Sequence, residues 1–264
     1  MRTLLVAGLI LLARAAVAAE PDARTDTQAL VAEPPHGAAV ATAEGAFLPL
    51  TQPAAIGDRR VHGLFIGGYD GAELKGGTFS ALLEAGLSHR VALRVGVAYV
   101  NPVGLVEPSV GVRGGILTQA RNKVDLSVGV QYNNVGFSEA TGEFELSVAV
   151  GHHWDRLALV GNVMFGQGLD AAERDGEVRV AALYRVHRLV TAGLDLRARF
   201  DLGDETERRR ENKIESEFDF IGGPLCTVAL GPVALLAQGG VHTIVQHEVP
   251  TTGAVVFAGL GATY

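Results

Sequence analysis

From Val61 to the C-terminus, apolar and polar residues alternate in short segments. In residues 91–100 nearly every second residue is Val, Leu or Tyr, and small or polar residues stand between them. The same pattern continues in residues 124–133, 143–153 and 190–201. Alternation with a period of two over about ten residues predicts a β-strand with two unlike faces.

Twelve such segments follow one another, and short turns alternate with longer loops between them. An even number of antiparallel strands with this alternation is typical of transmembrane barrels, because lipid offers no hydrogen-bond partner and the sheet must close on itself. We therefore predict an all-β fold: a closed antiparallel up-and-down transmembrane β-barrel in which 61–69 pairs with 254–264. The predicted strands are 61–69, 78–88, 91–100, 109–120, 124–133, 143–153, 157–167, 177–187, 190–201, 217–229, 233–245 and 254–264.

Charged residues fall on the strand face opposite the Val, Leu and Ala residues. An Arg at the bilayer midplane costs about 2–4 kcal/mol on the lipid side of a barrel, so these residues are expected to point inward and line a pore. The predicted pore-lining residues are Glu84, Arg94, Arg113, Asp125, Glu145, Arg179, Arg185, Asp195, Arg197 and Arg199.

Two interpretations of these charges remain open, and both can hold together. The first is a set of ion pairs that satisfy buried charges, and the second is a selectivity ladder in a narrow pore. Neighbouring predicted strands suggest three pairings: Glu84 with Arg94, Arg113 with Asp125, and Arg179 or Arg185 with Asp195.

Aromatic residues fall near the ends of the predicted strands, as the two interfacial girdles of a membrane barrel require. Trp154 and Tyr264 fall at the short-turn end. A soluble secreted barrel is the alternative, but its water-facing side would carry longer polar side chains than the Gly, Ala and Ser found here. The residues expected near the long loops are Phe79, Tyr99, Tyr132, Phe144, Phe165, Phe200 and Phe218.

The C-terminal residues give the pattern a more specific meaning. The chain ends in an aromatic residue preceded by alternating apolar residues: Val256, Ala258, Leu260, Ala262 and Tyr264. This ending resembles the signal by which the barrel-assembly machinery recognises its substrates. Residues 61–264 resemble bacterial outer-membrane β-barrel proteins at superfamily level, without a match to a functionally defined family. The resemblance implies a Gram-negative outer membrane as the location, with lipid and the assembly machinery as partners.

The N-terminal sixty residues differ from the rest. Residues 1–19 have the Arg2 n-region, apolar stretch and Ala-Val-Ala motif of a secretory signal peptide. Prolines interrupt residues 20–60, and the apolar residues there follow neither the strand period nor the helical period, which predicts a flexible periplasmic segment. Closure of the lumen from below is a second role open to this segment. With residues 61–264 as the barrel, an even strand count places both termini in the periplasm.

Composition excludes several classes of function. A net charge of -7 argues against a nucleic-acid partner, and one Cys excludes an internal disulfide or a cysteine-based zinc site. We expect no cofactor and no metal site, because neighbouring His152 and His153 point to opposite faces and His89 and His187 belong to other hairpins.

The predicted function is a small channel for ions or small polar solutes. Twelve strands lie between the eight that close around side chains and the sixteen that leave an aqueous pore. Lumen glycines, including Gly129 and Gly151, favour some water-filled space. A non-conducting structural or surface-binding barrel is the alternative. An outer-membrane hydrolase is less favoured, because we find no nucleophile and base placed together.

Overall fold

A computed structural model describes residues 48–57, 59–72, 76–88, 90–100, 105–134, 142–169, 174–203, 217–246 and 248–264. The chain forms a closed barrel of twelve antiparallel strands, which confirms the predicted fold class. The strands are β1 (Val61–Asp70), β2 (Gly76–Ser88), β3 (Val91–Val100), β4 (Leu105–Leu117), β5 (Asp125–Asn134), β6 (Gly142–His153), β7 (Leu157–Gly168), β8 (Arg174–His187), β9 (Val190–Asp201), β10 (Phe218–Leu230), β11 (Val233–Gln246) and β12 (Val249–Thr263).

Each strand pairs with its neighbours in sequence, and the barrel closes where the first strand meets the last. The register of β1 and β12 runs from His62 opposite Thr263 to Asp70 opposite Val255. Beyond β12, the Val61 and Tyr264 backbones exchange hydrogen bonds of 2.8 and 2.9 Å. The predicted pairing of the first and last strands is therefore confirmed.

The fourth and the last strand differ most from their predicted bounds. The fourth strand runs 105–117 instead of 109–120, because the chain reverses through a helical turn, α1 (Gln119–Asn122). The Asp125 carboxylate accepts a hydrogen bond of 2.7 Å from the Gln119 amide and holds this turn against β5. The last strand begins at Val249 instead of Ala254, because residues 249–253 continue the ladder with β11.

The outer face of the barrel is apolar. Outward side chains of β7 such as Leu159, Val163 and Phe165 are exposed, whereas the alternate residues are buried. Rings on adjacent strands pair toward the long-loop end: Phe79 with Tyr99, Tyr132 with Phe144, and Phe200 with Phe218, with centroids 5.2 to 5.3 Å apart. This is the arrangement that the predicted aromatic girdle requires. In the described part of the chain, no helix has the length and apolar character needed to cross a membrane.

Candidate functional site

One half of the barrel interior carries a large apolar cluster, although polar residues such as Asp219, Gln238 and His242 are buried on the same strands. The apolar half, which the sequence analysis did not predict, lies on β1 and β10–β12 and consists of Leu64, Ile66, Ile221, Leu236, Val255 and Phe257. The polar half lies on β2–β9 and carries most of the charged residues described below.

Residues 48–57, here called the inner segment, lie inside the barrel. Leu50 packs in the apolar half, and Leu48 packs in a second cluster with Ala158, Ala181, Leu183 and Leu225. The sequence predicts a flexible segment at residues 20–60, with closure of the lumen from below as a second role, but it does not predict these individual contacts. Residues 20–47 lie outside the described residues.

The polar wall contacts the inner segment on one side through Asp195 and Asn162. The fully buried Asp195 carboxylate accepts hydrogen bonds from the Leu50 amide (2.9 Å) and the Thr51 hydroxyl (2.5 Å). The Asn162 side chain accepts from the Gln52 amide (2.7 Å) and donates to the Gln52 carbonyl (3.0 Å). Asp195 and Asn162 lie on β9 and β7, so two neighbouring regions of the wall hold the middle of the segment.

Two arginines contact the same segment from the opposite side of the barrel. Arg94 on β3 donates to the Gln52 side-chain oxygen (3.1 Å), and Arg113 on β4 donates to the Pro53 carbonyl. Both arginines meet Glu84, which is 1% exposed; its carboxylate lies 2.8 Å from Arg113 and 3.5 Å from Arg94. Because Gln52 reaches both Asn162 and Arg94, the inner segment crosses the lumen.

A second polar network lies toward the long-loop end. The buried His242 ring has Asp70 2.5 Å from Nδ1 and Asp219 3.0 Å from Nε2. The other oxygen of Asp219 accepts from Arg197 at 2.8 Å. Beyond them, Arg179 pairs with Glu177, and Arg199 with Asp175 at 2.5 Å. This network joins β1, β8, β9, β10 and β11 at one end of the barrel.

The predicted lining residues all have inward parity, which means that they lie on the face of their strand that points into the barrel. Each is buried or lies an even number of positions along its strand from a buried residue. Glu84, Arg94, Arg113, Asp125 and Asp195 are buried, and Glu145, Arg179, Arg185, Arg197 and Arg199 are more accessible. Their role as the lining of a conducting pore stays a prediction. The C-terminal residues Val256, Ala258, Leu260 and Tyr264 are exposed, and their role as an assembly signal also stays a prediction.

One suggested charge pairing is present and two are wrong. Glu84 pairs with Arg94, as expected, but Arg113 pairs with Glu84 and not with Asp125. Asp195 binds the inner segment and Arg179 binds Glu177, so the suggested pairing of Asp195 with Arg179 or Arg185 is wrong. In the first case the Arg113 side chain reaches Glu84 two strands away instead of a partner on the adjacent strand. In the second case Arg179 meets Glu177 two positions away on its own strand, and the inner segment engages Asp195.

Other parts of the protein lie against the lumen glycines. The glycines were predicted to leave water-filled space instead. A Cβ on Gly129 would lie 3.0 Å from the Arg113 side chain, and one on Gly151 would lie 3.0 Å from Ala54 of the inner segment. A Cβ on Gly86 would meet the Gly57 carbonyl oxygen at 1.7 Å, so Gly86 is needed for the close approach of the segment to β2. The inner segment and Arg113 therefore occupy the space that side chains at these positions would fill.

The histidines near the short turns serve local contacts. His152 packs edge-on against Trp154 with centroids 4.2 Å apart, and the His153 amide donates to Gln119 at 2.8 Å. His187 accepts from the Leu189 amide at 3.3 Å, and His89 lies outside the described residues. Among the residues described, no group of three or more His, Cys, Asp or Glu is placed to hold a metal ion.

The barrel and its polar interior place the chain in a structural class. Its fold is that of the KdgM porin, with a TM-score of 0.54 over 77% of this chain and 99% of that chain at 8% identity. The NanC porin gives 0.53 over 76% and 98% at 11% identity. An outer-membrane channel from Pseudomonas putida F1 gives 0.50 over 84% and 98% at 12% identity.

The chain therefore has the fold of outer-membrane porin and channel barrels. This confirms the fold that the strand pattern and the resemblance predicted. No protein-family model matches the sequence, and a comparison with curated proteins finds no match. The likeness thus concerns the architecture. The observations that bear on function are the contacts inside the barrel.

Proposed function

We propose that this protein is an outer-membrane channel for ions or small polar solutes, and that the inner segment closes it. The observation that carries the proposal is that the inner segment crosses the lumen and binds charged wall groups on both sides. Gln52 bonds with Asn162 on β7 and Arg94 on β3, and Pro53 accepts from Arg113 on β4. Withdrawal of the segment would leave these groups lining an aqueous path.

The wall suits polar solutes because it carries both signs of charge along the barrel. Glu84, Arg94 and Arg113 lie at the level of the inner segment, and Arg197 and Asp219 lie toward the long loops. Charged rings at a constriction select ions and polar solutes by sign and size. We propose no catalytic activity, because the interior groups engage one another and the inner segment.

A non-conducting barrel is the second candidate, and the packing of the apolar half favours it. Leu50 is buried in one cluster with Leu64, Ile66 and Phe257, so the described state has its interior occupied at this level. In this alternative the inner segment is a permanent part of the core, and any binding activity belongs to the outer loops.

Replacing Leu50 by Asp separates these two candidates. A carboxylate placed in the apolar half, next to Asp195, is expected to displace the inner segment. Single-channel recordings in planar bilayers should then show long open events in Leu50→Asp and rare or short ones in the wild type. Leu50→Met is the matched control, because it conserves volume and apolar character and should resemble the wild type.

The same recordings test the role of the charged wall. In the Leu50→Asp background, replacing Arg197 and Arg199 by Ser should shift the reversal potential toward cation preference, because Asp219 and Asp175 lose their positively charged arginine partners. Correctly folded Leu50→Asp protein that gives no conductance would leave the non-conducting barrel as the function. Equal conductance in wild type and Leu50→Asp would show that the inner segment does not close the channel.

We also propose that both termini and the short turns face the periplasm and the long loops face outward. The sequence favours this because the short turns carry Arg121, Lys123 and Arg156, whereas the long loops are rich in acids. In a Cys226→Ala background, a Cys at Thr206, between β9 and β10, should react with an impermeant maleimide on intact cells. A Cys at the exposed Asn122 should react only after lysis. The reverse labelling pattern would overturn the orientation.

A further inference from the structure

Four hydrogen bonds between the wall and the inner segment use the backbone of the segment, and the Thr51 hydroxyl and the Gln52 side chain make others. Asp195 accepts from the Leu50 amide, Asn162 both accepts from and donates to the peptide groups of Gln52, and Arg113 donates to the Pro53 carbonyl. An Asn side chain that reads the N–H and C=O of one residue forms the same pair of hydrogen bonds as a neighbouring strand. Groups arranged in this way recognise a peptide chain largely irrespective of its sequence.

The apolar contacts add a preference for particular side chains. Leu50 enters the cluster on β1 and β10–β12, whereas Leu48 enters the cluster that includes Leu183 and Leu225. Burial of one Leu side chain contributes about 1.5–3 kcal/mol relative to its exposure to water. The two clusters therefore accept aliphatic side chains two positions apart on one chain.

We propose that this lumen site is a binding site for short peptides that carry two aliphatic residues spaced as in Leu48 and Leu50. Asp195 requires hydrogen-bond donors, Arg94 and Arg113 require acceptors, and Asn162 requires one of each on a single residue. The backbone of a peptide meets the requirements of Asp195, Asn162 and Arg113, and Arg94 additionally requires a side-chain acceptor such as that of Gln52. Such a peptide brings the aliphatic groups too. The inner segment occupies the site from the same chain, and peptides from outside compete with it.

The two sources of peptide differ in concentration. A tethered segment has an effective concentration in about the millimolar range when its linker is short and flexible, and here Gly57 precedes β1 by only a few residues. The wild-type site is therefore occupied by its own segment, and an external peptide binds once that segment is displaced. That such peptides cross the membrane rests on the proposed function. That they bind in the lumen does not depend on it.

The test uses the full-length chain with its inner segment weakened and its wall intact. A fluorescent peptide of the sequence of residues 48–57 is titrated into Leu50→Asp protein in detergent, and binding is followed by fluorescence anisotropy. We expect saturable binding to Leu50→Asp and little to the wild type, which also controls for adsorption to micelles. A peptide that carries the same Leu-to-Asp replacement should not bind.

A substitution in the barrel wall tests whether the peptide binds at the lumen site. Adding Asn162→Leu to Leu50→Asp removes two hydrogen bonds and should weaken peptide binding about tenfold. Asp195→Asn serves the same purpose if the first double variant does not fold. Absence of saturable binding to folded Leu50→Asp, or binding that neither wall variant weakens, would overturn the proposal.

Binding and conductance together separate this proposal from the proposed function. Leu50→Asp protein that conducts but does not bind the peptide would retain the channel and overturn the peptide site. Protein that binds the peptide but never conducts would support the peptide site in a non-conducting barrel and overturn the channel. If both proposals hold, the peptide should also reduce the Leu50→Asp conductance, and Asn162→Leu should relieve that block.

Discussion

Replacing Glu84 by Gln is expected to lower the free energy of unfolding by about 3–5 kcal/mol, the usual cost of removing one partner of a buried ion pair. Glu84 is 1% exposed, and its carboxylate lies 2.8 Å from Arg113 and 3.5 Å from Arg94. Without it, two buried guanidinium groups would lie close together with one fewer negative charge between them. Reversible urea unfolding of the folded barrel in detergent or lipid measures the change.

The matched control is an exposed ion pair in the turn between β6 and β7. Asp155 lies 3.9 Å from Arg156, and their side chains are 92% and 64% exposed. Asp155→Asn should therefore change stability by at most about 1 kcal/mol. Adding Arg113→Met to Glu84→Gln should recover part of the loss, because it removes one of the unpaired charges. Equal effects of Glu84→Gln and Asp155→Asn would contradict the interpretation of Glu84 as the centre of the buried network.

The strands could be predicted from the sequence because the signal is local and strongly constrained. Alternation assigns each residue to a face, and the cost of a charge in lipid decides which face is inside. Parity therefore placed Glu84 and Asp195 correctly on the inner face. The closure between β1 and β12 followed from the need to pair every backbone group within a membrane.

The partners of the charged residues could not be predicted, because alternation along a strand shows which face a side chain is on and does not show which residue it contacts. Arg113 lies opposite the small residue Ala92 on β3, so its side chain passes over Ala92 and meets Glu84 on β2. Asp125 lies opposite Gly151 and accepts from the Gln119 amide, which became visible only with the helical turn α1.

One member of the network around His242, Asp70, was missed because of a strand boundary. The predicted first strand ended at Tyr69, so Asp70 counted as a residue of the outer loop. In the structure β1 includes Asp70, which shares the inward parity of Ile66 and lies 2.5 Å from His242. His242 and Asp219 could have been found from the sequence, since both have inward parity within predicted strands.

The inner segment had no sequence signal of its own. Residues 48–57 have no helical or strand period, and their partners are far away in the chain: Leu50 and Asp195 are 145 residues apart. Such contacts depend on the three-dimensional arrangement of the wall, in which β3, β4, β7 and β9 each supply one polar group. Only the closed barrel brings these groups together.

Replacing Val163 by Arg is expected to lower the free energy of unfolding in a lipid bilayer by about 2–4 kcal/mol, the cost of Arg on the lipid face near the midplane. Val163 lies in the middle of β7 and is 59% exposed on the outer face. It is opposite Val148 on β6 and Val178 on β8, which are also exposed. An Arg at this position would therefore be surrounded by an apolar belt.

Val186→Arg is the matched control, because Val186 is also 59% exposed but lies one residue from the end of β8. Near the interface the same change should cost about 0–1 kcal/mol. A soluble barrel would present both positions to water, where surface substitutions usually change stability by about 0.5 kcal/mol or less. Unfolding titrations in lipid vesicles thus decide between the two environments. A large loss for Val163→Arg with little change for Val186→Arg indicates a lipid-facing belt, whereas two equally small changes would mean that the outer wall faces water.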